Sequence, residues 1–86
     1  MSPVEREQTA MNVKEMLDTI LKHLQGPDVP YEVTYQLGPD TIAFSIKSDR
    51  LGIVLGKQGK TIDCIRHLVD AVGSKQGHRV VIETLY

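Results

Sequence analysis

Residues 53–62, with the sequence IVLGKQGKTI, are the most informative part of the chain. Gly56 and Gly59 stand three residues apart, and glycine allows both a tight turn and a close approach of the backbone to a ligand. The first N–H groups of a helix that follows such a turn have no partner within the helix and carry positive dipole character. Lys57 and Lys60 add two full positive charges. The stretch therefore predicts a turn between two helices that binds an anion such as phosphate, next to an apolar surface.

Two other phosphate-binding loops do not fit this stretch. The Walker pattern, aligned on the Gly-Lys-Thr of residues 59–61, requires a glycine at the position of Val54. The dinucleotide fingerprint fails because Gly52, Gly56 and Gly59 are spaced four and then three residues apart. Both nucleotide-binding interpretations are therefore rejected.

Upstream of the turn, the hydropathy pattern predicts one helix and one hairpin. Apolar residues from Val13 to Leu24 recur at the i, i+3, i+4 spacing of an amphipathic helix, which Gly26 and Pro27 end. Residues 31–37 and 42–46 alternate between apolar and polar side chains, as half-buried strands do. The Gly-Pro-Asp of residues 38–40 is short enough to join the two strands directly.

Downstream of the turn, the pattern predicts a helix and a last strand. The helix has an apolar face made of Ile62, Ile65, Leu68, Val69 and Val72, and the strand covers residues 80–85. The order α-β-β-α-α-β predicts an α+β domain in which helices pack on one face of a three-stranded sheet. We assign residues 11–86 to this domain. Residues 1–10 are either an N-terminal extension or the start of the first helix.

The stretch at residues 53–62 resembles the signature of the KH domain, [VI]-[IL]-G-x-x-G-x-x-I, and the element order resembles the type II form of that domain. The resemblance extends over roughly residues 13–86. It implies single-stranded RNA as the ligand, with the GxxG turn clamping the backbone of about four nucleotides. By position, Gly56 and Gly59 permit the approach, Lys57 and Gln58 project toward phosphates, and Lys60 adds charge at the start of the helix. Ile53, Leu55 and Ile62 are expected to form an apolar floor for the bases, and the strand at residues 41–47 the other wall.

Within the KH domains, the length and the LGKQG sequence are most similar to the small single-KH bacterial RNA-binding proteins of the KhpA family. That resemblance implies an RNA chaperone or post-transcriptional regulator that forms a homodimer or pairs with a KhpB-like KH protein. A KH-like domain that serves mainly protein–protein association is the alternative. The chain could also be a fragment of a longer protein, such as the KH portion of a KhpB-like chain.

Composition sets further limits on function. The net charge is −1, but residues 1–46 hold three basic and seven acidic side chains, whereas residues 47–79 hold seven basic and three acidic ones. Such polarity favours polyanion binding by one side of the molecule. The 86 residues contain no apolar run of the ~20 residues that a membrane helix needs. One cysteine indicates a reducing compartment, so we expect a cytoplasmic protein.

Neither catalysis nor a bound cofactor is predicted. The sequence holds no recognisable set of paired carboxylates and no Ser/His/Asp arrangement, so we expect no catalytic residues and no small-molecule substrate. Cys64 and His67 have helical spacing, but two ligands do not make a zinc site, and we expect no metal. Cys64 is predicted to be a small buried or half-buried residue.

Overall fold

The computed structural model describes residues 3–85 and has the predicted α+β architecture. Three α-helices, one 3-10 turn and three strands follow one another over those residues. In chain order they are α1 (Pro3–Gln25), β1 (Tyr31–Leu37), β2 (Thr41–Ser48), α2 (Leu51–Leu55), the 3-10 turn (Lys57–Gly59), α3 (Lys60–Lys75) and β3 (Arg79–Leu85). Met1, Ser2 and Tyr86, which belong to the segments assigned from the sequence, lie outside the described residues. The predicted element order is confirmed.

The strands form one mixed sheet in the order β1-β2-β3. β1 and β2 are antiparallel, with Tyr31 opposite Ser48 and Leu37 opposite Ile42. The amide of Gly38 donates to the carbonyl of Thr41 over 2.8 Å and closes the hairpin. β2 and β3 are parallel, so the chain must cross from one end of the sheet to the other, and α2, the turn and α3 form that connection.

The core lies between one face of the sheet and the helices, as predicted. Alternate residues of the strands point into it, because side chains along a strand point to opposite faces. Phe44 of the central strand is 1% exposed and packs against the ring of Tyr35, with 5.5 Å between the ring centroids. The helices contribute the remaining buried apolar residues, chiefly Val13, Leu17, Leu21, Val54, Ile62, Ile65 and Val69.

α1 begins at Pro3, and its first turns are part of the packed structure. Thr9 and Ala10 are buried, and the Thr9 hydroxyl donates to the carbonyl of Glu5 over 3.0 Å. The helix ends where Gly26 adopts a φ of 92°, which a residue with a side chain rarely adopts. At its middle, Asp18 accepts a hydrogen bond from the Tyr31 hydroxyl and so links α1 to β1.

Leu68 departs from the predicted core. It was expected on the apolar face of α3, but it is 51% exposed, whereas Ile62, Ile65 and Val69 are buried. The three buried residues form a narrow row at helical spacing, and Leu68 lies on the flank of that row. Helical periodicity identifies the apolar side of a helix, but it does not say how much of that side the rest of the protein covers.

None of the helices over residues 3–85 combines the length and the hydropathy required to cross a membrane.

Candidate nucleic-acid interface

The turn that joins α2 to α3 has a backbone that favours glycine at three of its four residues. Gly56, Gln58 and Gly59 have φ angles of 75°, 58° and 74°. Backbone hydrogen bonds hold the turn closed: the amide of Gly56 donates to the carbonyl of Gly52 over 3.0 Å, and the amide of Gly59 donates to the carbonyl of Gly56 over 3.2 Å. Gln58 is the one non-glycine residue among those described with a positive φ. Such strained positions concentrate at functional sites.

The two glycines are required for different reasons. A Cβ atom on Gly56 would overlap the Thr61 side chain and lie 2.9 Å from the Thr61 amide nitrogen. A Cβ atom on Gly59 would have no atom of the protein within 4 Å. Gly56 therefore lets the turn close on α3, whereas Gly59 is favoured by its left-handed backbone and leaves open space beside it.

The amino terminus of α3 faces this open space. Its N-cap residue is Gly59, and no side chain caps the helix. The amide of Lys60 donates to the carbonyl of Lys57, so the N–H groups that follow it in the first turn of α3 are the ones that can serve an external acceptor. The dipole of the 16-residue helix favours a negative charge there. An anion such as a phosphate fits both properties.

The polar side chains predicted for the site lie on the surface around the turn. Lys57, Gln58 and Lys60 are all exposed. They surround the uncapped helix terminus with two positive charges and one amide that can both donate and accept hydrogen bonds.

The apolar residues predicted for the site lie at three different depths. Ile53 is 37% exposed, and Leu55 is partly buried against the core. Ile62 is 3% exposed and belongs to the core. Ile53 and Leu55 therefore offer apolar surface beside the turn, and Ile62 packs beneath it.

A groove runs between α3 and the outer edge of β3. Its lining contains charged side chains of both elements: Arg66, His67 and Asp70 from α3, and Arg79 from β3. Arg66 is held in place, because it donates to the carboxylate of Asp63 over 3.3 Å and to the carbonyl of Ile82 over 3.5 Å.

The strand in this groove is β3, so the prediction that residues 41–47 form the wall beside the turn is wrong. β2 pairs with β1 on one edge and with β3 on the other, and it has no free edge to offer. From the sequence, Arg79 of β3 could equally face RNA or solvent, and the groove residues 80–82 that follow it were missed. The signal that could have found them is the pair of helices between β2 and β3, because such a connection makes two strands parallel neighbours.

The remaining nucleophile and metal-ligand candidates do not assemble into a site. Cys64 is exposed, so the prediction that it is buried or half-buried is wrong. Within residues 3–85, no three side chains among His, Cys, Asp and Glu come together in a group that could hold a metal ion.

Known proteins resemble this chain over most of its length. The family model described as the KH domain of KhpA and KhpB matches residues 12–84. The RNA-binding protein KhpA of Aquifex aeolicus is 33% identical over 75 residues, which cover 85% of this chain and 95% of that protein. The RNA-binding proteins KhpA of Clostridium acetobutylicum and Chlamydia pneumoniae are 32% and 36% identical over 75 residues. These 75 residues cover 85% of this chain and 100% and 96% of the two proteins.

Proposed function

This chain belongs to the KhpA/KhpB KH-domain family, and we propose that it binds single-stranded RNA through the GxxG turn at residues 56–59. The family is not a family of enzymes. One observation carries the proposal: the open side of Gly59, the uncapped amino terminus of α3 and the exposed Lys57, Gln58 and Lys60 all meet at one turn. That combination suits a chain of phosphates.

The turn holds the RNA by its backbone. A phosphate accepts hydrogen bonds from N–H groups in the first turn of α3 beyond Lys60, and the side chains of Lys57 and Lys60 neutralise it and its neighbours. The space beside Gly59 lets the sugar-phosphate chain reach the protein backbone without meeting a side chain. About four nucleotides fit such a clamp.

The bases rest on the apolar surface beside the turn. Ile53 and Leu55 provide that surface, and Ile62 supports it from the core. The next nucleotides enter the groove between α3 and β3, where Arg66 and Arg79 lie. The chain has three tyrosines and one phenylalanine, so few aromatic side chains are available for bases to stack on. Each stacked base would contribute about 1–3 kcal/mol to the free energy of binding. A single domain therefore binds weakly, and useful affinity comes from two linked modules.

The biological role is the one that the resemblance to the KhpA family implies, and weak, sequence-tolerant binding of the RNA backbone is compatible with it. We assign to the chain a role as an RNA chaperone or post-transcriptional regulator in the bacterial cytoplasm, acting as a homodimer or with a KhpB-like KH protein. The alternative, a domain that serves mainly protein–protein association, is favoured by one observation, which is the exposed Leu68 on α3.

The test is the double variant Lys57→Asp/Gln58→Asp, which places two negative charges on the turn. Both side chains are exposed, so the fold should survive, and binding to a short single-stranded RNA at low salt should be abolished. The control is Gln8→Asp/Lys22→Asp, which makes the same change in net charge on exposed residues of α1. Binding that persists in the first variant, or that is lost equally in the control, would refute the turn as the site. That result would favour the alternative, a domain that serves mainly protein–protein association.

A further inference from the structure

Charged side chains of both signs line the groove between α3 and β3, and two of them have no partner within the described part of the chain. Arg66 is occupied by its hydrogen bonds to the Asp63 carboxylate and the Ile82 carbonyl. Asp70 of α3 and Arg79 of β3 line the same groove. Within residues 3–85, neither of these two side chains takes part in a hydrogen bond or an ion pair. The groove therefore offers one carboxylate and one guanidinium to a ligand.

The two groups lie on different walls, at the end of the groove that is farther from the turn. The end of α3 meets the start of β3, where the amide of His78 donates to the carbonyl of Gly73 over 2.8 Å. Asp70 lies just before this junction on the helix, and Arg79 is the first residue of the strand. Asp70 is also ten residues, or about 15 Å along the helix, from Lys60 at the turn. A nucleotide between Asp70 and Arg79 is therefore a different one from the nucleotide whose phosphate the turn holds.

The space between the two walls suits a nucleobase. The groove has a volume of about 630 Å³, which is typical of pockets that hold small ligands. Ala71 of α3 and Val81 of β3 add apolar surface to its lining, and both are exposed. Apolar surface can contact the flat face of a base, while the charged groups form hydrogen bonds with its edges. The groove thus combines the two kinds of contact that a base offers.

We propose that Asp70 and Arg79 make this end of the groove selective for guanine. Guanine is the one RNA base with two adjacent N–H donors, at N1 and N2, and a carboxylate accepts them as two parallel hydrogen bonds. Its neighbouring edge carries the acceptors O6 and N7, to which a guanidinium donates a matching pair. Asp70 binds the first edge and Arg79 the second. This inference rests on the proposed RNA site and specifies one base of its ligand, while the clamp on the phosphates remains indifferent to sequence.

The other bases satisfy the carboxylate less well. Adenine and cytosine present one amino group beside a ring nitrogen whose lone pair repels the second oxygen of Asp70. Uracil presents one N–H between two carbonyl oxygens. A bidentate contact to the correct base gives a preference of about tenfold or more over the wrong one. Asp70 also repels the phosphates of any RNA, so it lowers the affinity for sequences that do not supply guanine.

The first test compares short oligouridines that carry one guanine, adenine or cytosine at a central position, measured by fluorescence anisotropy at low salt. The parent chain should bind the guanine oligonucleotide about tenfold more tightly than the others. Asp70→Ala should abolish this preference without weakening the binding of oligouridine, because the variant removes a negative charge beside a polyanion. The control is Asp28→Ala, which removes the same charge from an exposed residue between α1 and β1 and should retain the preference.

The second test changes the base instead of the protein, so it holds even if Asp70→Ala fails to fold. Inosine lacks the N2 amino group of guanine, and 7-deazaguanine lacks the N7 acceptor. Each analogue should lose part of the tenfold preference in the parent chain. Arg79→Ala should bind guanine and 7-deazaguanine equally well, while it still distinguishes guanine from inosine.

The outcomes separate this inference from the proposed RNA site. Equal affinity of the parent chain for all four oligonucleotides would overturn the guanine selectivity and leave binding at the turn intact. A guanine preference that survives in Asp70→Ala, or a parent chain that does not distinguish guanine from inosine, would remove Asp70 from the proposal. No binding to any of the oligonucleotides would refute the RNA site and the inference together.

Discussion

Gly56 and Thr61 lie so close that a Cβ atom on the glycine would come within 2.6 Å of the Cβ atom of the threonine. The contact joins the first residue of the turn to the first turn of α3. It fixes the direction in which the helix leaves the turn, and therefore the direction in which the N–H groups at the helix terminus point. The geometry of the proposed phosphate site therefore depends on a packing contact that involves no charged residue.

Gly56→Ala should destabilise the protein more than Gly59→Ala. Both glycines have a φ near 75°, but Gly56 combines it with a ψ of 175°, a region that is essentially restricted to glycine. The overlap with Thr61 adds to that strain, so we expect a loss of about 3 kcal/mol or more for Gly56→Ala. At Gly59 the loss should be about 1–2 kcal/mol, because the left-handed backbone alone opposes the alanine there. Urea unfolding of the two variants gives both losses in the free energy of unfolding. Equal losses would show that the Thr61 contact does not add to the cost at Gly56.

The salt dependence of RNA binding should identify the lysines that neutralise phosphates. For single strands, each neutralised phosphate contributes about −0.7 to the slope of log affinity against log salt concentration. Lys57→Ala and Lys60→Ala should therefore each make the slope less steep by up to about 0.7. Lys22→Ala, an exposed lysine of α1, is the control and should leave the slope unchanged. A slope that is the same in all three variants as in the parent chain would show that the lysines of the turn do not neutralise phosphates.

The fold follows from local patterns that sequence alone provides. Alternation along residues 31–37 and 42–46 identifies the strands, because one face of the sheet is buried, and Gly38 marks the hairpin between them. The residue types at positions 56–60 likewise predict the turn and its exposed lysines. These features depend on residues that are close together in the chain, so their patterns can be recognised from the sequence alone.

What the sequence did not predict depends on contacts between distant elements. Leu68 was expected on the apolar face of α3, and Cys64 was expected to be buried or half-buried. The spacing along α3 does not say that the protein covers only the side of the helix that holds Ile62, Ile65 and Val69. The strand opposite α3 was assigned to residues 41–47, because an unpaired edge becomes visible only when the order of the sheet is known. The role of Thr61 could not be predicted either, since it is a contact with Gly56 that depends on the backbone angles of the turn.

The stability of the protein should fall at alkaline pH through Tyr31. Its partial burial raises the pKa of the Tyr31 hydroxyl above the ordinary 10.0, and so do the nearby charge of Asp18 and the hydrogen bond to it. The folded state therefore favours the protonated hydroxyl. This contribution is complete below pH 10.0 and is lost as the pH rises through the raised pKa. Urea unfolding at neutral and strongly alkaline pH should show the loss in the parent chain, and a smaller one in Tyr31→Phe.

Asp18→Asn provides the matching control for that measurement. It removes the negative charge but leaves an oxygen that can accept the hydrogen bond from the hydroxyl. The alkaline loss of stability should therefore be reduced but not abolished. If Tyr31→Phe and the parent chain lose the same stability between the two pH values, other groups are responsible for the loss.

Association of two copies through the surface around the exposed Leu68 of α3, as a homodimer of the proposed function requires, should strengthen binding to long RNA and leave binding to short RNA unchanged. An oligonucleotide of about four nucleotides occupies one clamp, whereas one several times longer can reach both clamps of a pair. Leu68→Lys should therefore weaken binding of the long RNA by about tenfold or more, while the short RNA binds as it does to the parent chain. Fluorescence anisotropy with the two oligonucleotides measures both affinities, and Leu37→Lys should change neither. Equal weakening for both lengths would mean that Leu68 acts on the single site itself, and no weakening would mean that the two clamps do not share one RNA.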